Sequence, residues 1–162
     1  MRVVRVYRSW QAATAFTGEG SRLYGSRWNS PDVAMIYTAS TLSLALLEII
    51  ANSGNRELPA DYVYSLVDIQ DNLIERIDFR ALPTDWYEFP APPALQTFGN
   101  IWVAEQRSMA LLVPSAVARI EYNVLLNPAH PSFADGLKTT NPDPLPVDRR
   151  LPIARPTRKK NR

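Results

Sequence analysis

The rhythm of apolar and polar positions changes several times along the 162 residues. Val3-Val4-Arg5-Val6-Tyr7 is dense in β-branched and aromatic side chains and predicts a strand. A glycine-rich turn, Gly18-Glu19-Gly20-Ser21, then leads into Leu23-Tyr24-Gly25-Ser26-Arg27-Trp28-Asn29-Ser30-Pro31. Val33 to Thr38 predicts a second strand. Ser40 is placed to cap a helix from about Thr41 to Asn52, with Gly54 as its stop. This helix is apolar almost all round (Leu42, Leu44, Ala45, Leu46, Leu47, Ile49, Ile50), which predicts that it is largely buried.

Tyr62 to Ile69 has strand composition, and Leu73 to Phe79 reads as a short strand or an irregular connection. Pro83 to Pro93, which holds Trp86, Tyr87 and Phe89, predicts a loop pinned by aromatics. A helix near Thr97 to Arg107 and strands at Ala110 to Val113 and Arg119 to Leu126 follow. From Asn127 onward seven prolines in thirty residues discourage regular structure. Strands and helices mingle without the steady alternation of βαβ units, so the pattern predicts an α+β fold, a compact single domain with a mixed or antiparallel sheet.

Composition narrows the chemistry. The hydrophobic set is 46% of the chain and cysteine is absent, which describes one globular domain without disulfides, thiolate metal sites or thiol nucleophiles. No apolar run is long enough to span a bilayer and no leader pattern is present, so a cytoplasmic location without membrane attachment is expected. The net charge of +2 is uneven. Residues 1–148 carry 16 acidic against 11 basic side chains, a net of −5, whereas residues 149–162 carry seven basic ones and no acid. The chain therefore divides into a domain over 1–148 and a basic, mobile C-terminal tail over 149–162. The tail alone supports a competing reading as a non-catalytic nucleic-acid-binding module, with steeply salt-dependent binding.

Glu48 stands out as a carboxylate inside Leu46-Leu47-Glu48-Ile49-Ile50, where it must find donors, a cation or the helix's wet stripe. Arg27 follows Gly25 in a tight segment, and its guanidinium suits a pyrophosphate or a carboxylate such as Glu48. Tyr37 ends a strand one turn before the Glu48 helix and offers a flat ring to a base. Ser115 can meet a ligand or cap a turn. A hydrolase built from Ser115 and His130, the chain's one histidine, lacks the Gly-x-Ser-x-Gly elbow, and no ligand spacing supports a metal site. No Walker loop or dinucleotide fingerprint is present.

Taken in order, Gly18-Glu19-Gly20, Gly25-Ser26-Arg27-Trp28-Asn29-Ser30, Tyr37-Thr38, Ala45-Leu46-Leu47-Glu48, Val113-Pro114-Ser115 and Asn123-x-x-x-Asn127-Pro128-x-His130-Pro131 resemble RES-domain toxins of RES-Xre type II toxin–antitoxin systems. The arginine, glutamate and serine of that family name match Arg27, Glu48 and Ser115. The resemblance implies an ADP-ribosyltransferase-like fold and NAD as substrate, consumed by phosphorolysis or hydrolysis with growth arrest, or used to ADP-ribosylate a protein. It implies catalytic roles for Arg27, Glu48 and Tyr37, with Arg27 holding the pyrophosphate or ribose, Tyr37 stacking on nicotinamide, and Ser115 and Asn123 bonding the cofactor. It also implies an Xre-type helix-turn-helix antitoxin that blocks the pocket, DNA contact only through that antitoxin, and a homodimer within the complex. The family commonly carries Gly-Gly-Arg-Trp where this chain has Gly25-Ser26-Arg27-Trp28; a positive φ at Ser26 would cost on the order of 1 kcal/mol and reshape the loop.

Overall fold

The computed structural model describes residues 1–54, 58–146, 148, 150 and 151. Its centre is one mixed sheet. Strand β1 (Arg2–Arg8) pairs along its whole length with β3 (Tyr62–Ile69), from Arg2 opposite Asp68 to Arg8 opposite Tyr62. On its other side β1 meets β2 (Ile36–Ala39) only where Val4 faces Ala39. β2 continues onto β6 (Tyr122–Leu126), and β6 onto β5 (Ala110–Pro114), all antiparallel. β4 (Ile74–Arg76) closes that edge, parallel to β5. The order is β4-β5-β6-β2-β1-β3, with β7 (Leu137–Thr139) and β8 (Asp143–Pro144) both added to β3. The expected α+β class with a mixed sheet is what the chain adopts.

Alternation along the strands assigns the two faces. Ile36, Ala110, Leu112, Val124 and Leu126 join Val3 and Val67 in one core. Leu111, Val113 and Leu125 point the other way, onto Trp28, Met35 and helix α3 (Pro93–Glu105). Because both faces are covered, all five residues of β5 are buried, so this strand reads as a continuous apolar run.

Helix α3 begins four residues before the Thr97 start expected from composition, because Pro93 sits in its first turn, where proline's fixed φ and missing N–H cost nothing. It presents Leu95, Gly99 and Trp102 inward, spaced at i, i+4 and i+7. Gly99 is there for close approach: a Cβ at this position would overlap the Trp28 carbonyl and touch the Met35 methyl at 3.1 Å. Gly99→Ala should therefore destabilise the fold by about 1–3 kcal/mol. The same change pushes on the turn that carries Arg27. A thermal melt lowered by roughly 5 °C, together with weakened substrate binding, would check it.

Helix α1 (Glu19–Tyr24) follows β1, and helix α2 (Leu42–Asn52) corrects two expectations. Its cap is Thr41, whose hydroxyl accepts from the Leu44 amide at 3.1 Å, and not Ser40, whose own amide still bonds Tyr122 in the sheet. The helix is also not largely buried. Among its residues only Leu44 and Ala45 are fully enclosed, against Ala39, and Leu47 is 41% exposed. α2 lies along the rim of a cleft and packs by one stripe. The proline-rich end likewise holds more order than its composition suggests: a short helix α4 (Phe133–Gly136) forms there, and β7 and β8 find ready-made partners in the exposed edge of β3. Of the basic tail, only residues 150 and 151 are described, and Arg150 pairs with Asp148 at 2.9 Å; the remainder lies outside the described residues. Among the described residues, no helix is long and apolar enough to cross a membrane.

Candidate active site

The sheet opens where β1 and β2 part. Beyond Val4 and Ala39 the ladder between them stops, and the Tyr37 carbonyl accepts instead from Arg5 Nη1 at 2.6 Å. Two cavities, of about 330 and 760 Å³, meet at this opening and share Ser26, Tyr37, Glu48, Asn52 and Asn123.

Glu48 is anchored by three elements. Its Oε1 accepts from Ser115 Oγ at 2.7 Å and from Asn123 Nδ2 at 2.5 Å. Ser115 is wholly buried after β5, and its oxygen accepts from the Val117 and Ala118 amides at 3.1 and 3.0 Å. With both lone pairs engaged, the single hydroxyl proton is directed at Glu48. Asn123 reaches the same oxygen from β6, opposite Val113 and Ala39. Glu48 Oε2 has no hydrogen-bond partner among the described residues and faces the cleft. The arrangement fixes one carboxylate oxygen and leaves the other for a ligand hydroxyl or a developing cation.

Arg27 lies in a turn closed by the Ser26 amide bonding the Asn29 carbonyl at 2.8 Å. Gly25 supplies the positive φ of 67° this turn needs. Ser26 is not among the residues at positive φ, so its presence in place of glycine carries no backbone strain. The guanidinium donates from Nη1 to the Trp86 carbonyl at 2.8 Å and from Nη2 to the Glu88 carbonyl at 3.1 Å. It forms no ion pair with a carboxylate among the described residues, Glu48 included. Burial pulls its pKa below the ordinary arginine value, with Glu48 and Tyr37 opposing. Three of its five N–H groups remain to meet an anion.

Tyr37 ties the two halves together. Its hydroxyl donates to Asn29 Oδ1 at 2.7 Å and accepts from the Trp28 amide at 3.0 Å. Burial pushes the phenol up to about 12, partly offset by Ser26, the Trp28 amide and Arg27, so it remains a donor throughout the neutral range. Asn29 is fully enclosed and donates to the carbonyls of Ser21, Ser30 and Val33. The Arg27 turn is thus held from beneath by a closed polar network.

All five residues singled out from the sequence converge on this cleft. Ser115 does so from below, with its hydroxyl spent on Glu48 and two amides. Ser115 and His130 do not meet as a hydrolytic pair, since the His130 Nδ1 accepts from the Ser132 amide at 3.1 Å within its own turn. Arg5 was not singled out. It lines the smaller cavity, donates from Nε to the Ala15 carbonyl at 3.3 Å, and burial lowers its pKa to about 10. No carboxylate pairs with it among the described residues, and Nη2 is left uncommitted. Strand alternation carried the signal, because Arg5 shares a side with the buried Val3 and Tyr7.

Comparison with known proteins gives this geometry a class. The RES domain family matches residues 2–148. A protein named Toxin Res from Photorhabdus laumondii subsp. laumondii is 34% identical over 151 residues, covering 93% of this chain and 97% of the relative. The Prs ADP-ribosylating toxin of a Sphingobium species is 34% identical over 140 residues, covering 85% and 86%. Among solved structures, one from the M. tuberculosis MbcT–MbcA toxin–antitoxin complex superposes with a TM-score of 0.71 at 18% identity, over 88% of this chain and 82% of that one. The chain belongs to the RES-domain family, and the last comparison shows that it has the same fold.

Proposed function

We propose that this protein is the toxin of a toxin–antitoxin pair and that it cleaves the nicotinamide–ribose bond of NAD in the cleft between β1, β2 and α2. The observation that carries the reading is Glu48, a carboxylate with one oxygen fixed by Ser115 and Asn123 and the other without a partner among the described residues, in a cavity shared with an arginine that likewise has no ion-pair partner among them. Nicotinamide in NAD is a cationic leaving group. When its C–N bond breaks, the electron pair goes to the nicotinamide nitrogen and positive charge develops on the ribose, so no general acid is required. Glu48 Oε2 stabilises that charge or accepts from a ribose hydroxyl that becomes more acidic as the bond opens. Arg27 holds the pyrophosphate, with Arg5 as a second cation in the smaller cavity. Binding energy gained there orients the reacting sugar. Tyr37 offers its ring to nicotinamide while its hydroxyl keeps the Arg27 turn in place.

Ser115 acts in this scheme by holding Glu48. Ser115→Ala should lower kcat by about 10- to 100-fold through loss of that orientation, with the KM for NAD little changed. Steady-state kinetics on a variant with a native circular dichroism spectrum would check it.

The acceptor that bonds the ribose C1′ is phosphate, water or a protein side chain. Transfer to a protein is the second reading, favoured by the 34% identity to the Prs ADP-ribosylating toxin. Mass spectrometry of products from NAD, with and without phosphate and with cell extract, separates the three. Absence of nicotinamide release under every condition would overturn the enzymatic reading and return attention to a binding module using the basic tail. The partner in this reading is an Xre-type antitoxin that covers the cleft and makes the DNA contacts, in a complex where the toxin is paired with a second copy. The fold shared with a chain of a toxin–antitoxin complex supports an antitoxin partner.

A further inference from the structure

We infer that the mouth of the larger cavity is the subsite for the adenine of the dinucleotide, with Phe89 and Tyr24 as stacking surfaces and Gln96 reading the base edge. The inference rests on the NAD reading above and assigns the half of the substrate that does not react.

Phe89 and Tyr24 are 89% and 84% exposed, and both border the cavity that holds Arg27 and Glu48. Two large rings left in water at the mouth of one cleft call for an occupant, and a flat heteroaromatic base is the ligand that uses ring faces best. The backbone that carries Phe89 is anchored. The preceding carbonyl, of Glu88, is bound by Arg27, and the loop is gripped again where the Arg119 guanidinium lies 3.6 Å from the centre of the Tyr87 ring. An anchored backbone lowers the ordering cost of stacking on the ring it carries. The sequence of groups follows that of the ligand. Glu48 meets the reacting ribose, Arg27 the pyrophosphate, and the residue next to an Arg27-bound carbonyl meets the distal base.

Gln96 supplies polarity. Its Nε2 donates to the Ser26 carbonyl at 2.9 Å, and this turns the amide oxygen, which has no partner among the described residues, into the acceptor left in the same cavity. Adenine presents a donor there through its exocyclic amine, whereas hypoxanthine presents a carbonyl oxygen.

The test compares wild type, Phe89→Ala, Tyr24→Ala and Phe89→Trp in the full chain freed of any partner. Two quantities are read: kcat and KM for NAD, and the dissociation constant of ADP-ribose by calorimetry. Phe89→Ala should raise the KM and the ADP-ribose dissociation constant by about tenfold with kcat unchanged, Tyr24→Ala should act in the same direction, and Phe89→Trp should restore both. Wild type should show a KM for the hypoxanthine analogue of NAD about tenfold above that for NAD. Both rings are exposed, so truncation does not threaten the fold. The inference is overturned if the two alanine variants keep wild-type KM and ADP-ribose affinity, if the loss appears in kcat alone, if the hypoxanthine analogue matches NAD, or if wild type does not bind ADP-ribose. Loss of antitoxin neutralisation with an unchanged KM would likewise reassign the rings to a protein partner. Failure of the NAD reading is separate, because it appears as no nicotinamide release by wild type, and the calorimetric arm still decides the subsite.

Discussion

Glu48→Gln will give a folded protein that releases nicotinamide from NAD about 10³-fold more slowly and no longer arrests growth. The substitution is nearly isosteric. The glutamine carbonyl oxygen can keep the bonds from Ser115 Oγ and Asn123 Nδ2, so the local network survives. What changes is the free position, where an uncharged amide NH₂ replaces the carboxylate oxygen. An amide neither stabilises a cationic ribose nor accepts from its hydroxyl, so the loss falls on the transition state and should appear in kcat with little change in KM. The measurement is nicotinamide release at saturating NAD, alongside a thermal melt. Near-wild-type turnover by a folded Glu48→Gln variant would remove the carboxylate from the mechanism and the proposed function with it.

Arg27→Ala has the second largest expected effect, and it falls on KM. A bidentate, charge-assisted contact to a phosphate contributes roughly 3 kcal/mol, so kcat/KM for NAD should fall about 100-fold. The loop carbonyls of Trp86 and Glu88 also lose their donors, which frees the segment carrying Tyr87 and Phe89. Arg27→Lys should recover only part of the loss, since one ammonium cannot reach two carbonyls and an anion in the same fork. Kinetics on NAD for both variants would check the order wild type, lysine, alanine. Equal KM in all three would mean that the pyrophosphate is held elsewhere, with Arg5 the next residue to change.

Much of the fold was legible because its signals are local. The β-branched run at the amino terminus, the apolar run of β5 and the helix bearing Glu48 each announce themselves within a few residues. The class of sheet followed from the lack of regular alternation. The parts that were misread depend on partners distant in sequence. Whether Ser40 or Thr41 caps α2 turns on whether Ser40 is still bonded to Tyr122, more than eighty residues away. The burial of α2 depends on what lies against it, and an apolar helix at the rim of a cleft has the same composition as one in a core. β7 and β8 exist because β3 has a free edge to receive them, which overrides a proline-rich composition.

The candidate site divides in the same way. The ordered resemblance to RES-domain toxins grouped Arg27, Tyr37, Glu48, Ser115 and Asn123, whereas residue chemistry by itself marked Glu48 as a carboxylate in an apolar helix and left Arg27 open between a phosphate and a salt bridge. Only the tertiary structure decided how they contact one another. Ser115 lies below Glu48, spends its one proton on that carboxylate and is closed to solvent, a role set by the amides of Val117 and Ala118 as they fold back over it. Alternation puts Arg5 on the Val3 and Tyr7 side of β1, but that this side opens into a cleft became visible only when β1 was seen to part from β2 after a single pair. Hydrogen-bond valence and burial are properties of packed neighbours, and the Asn123 that holds Glu48 lies 75 residues from it along the chain.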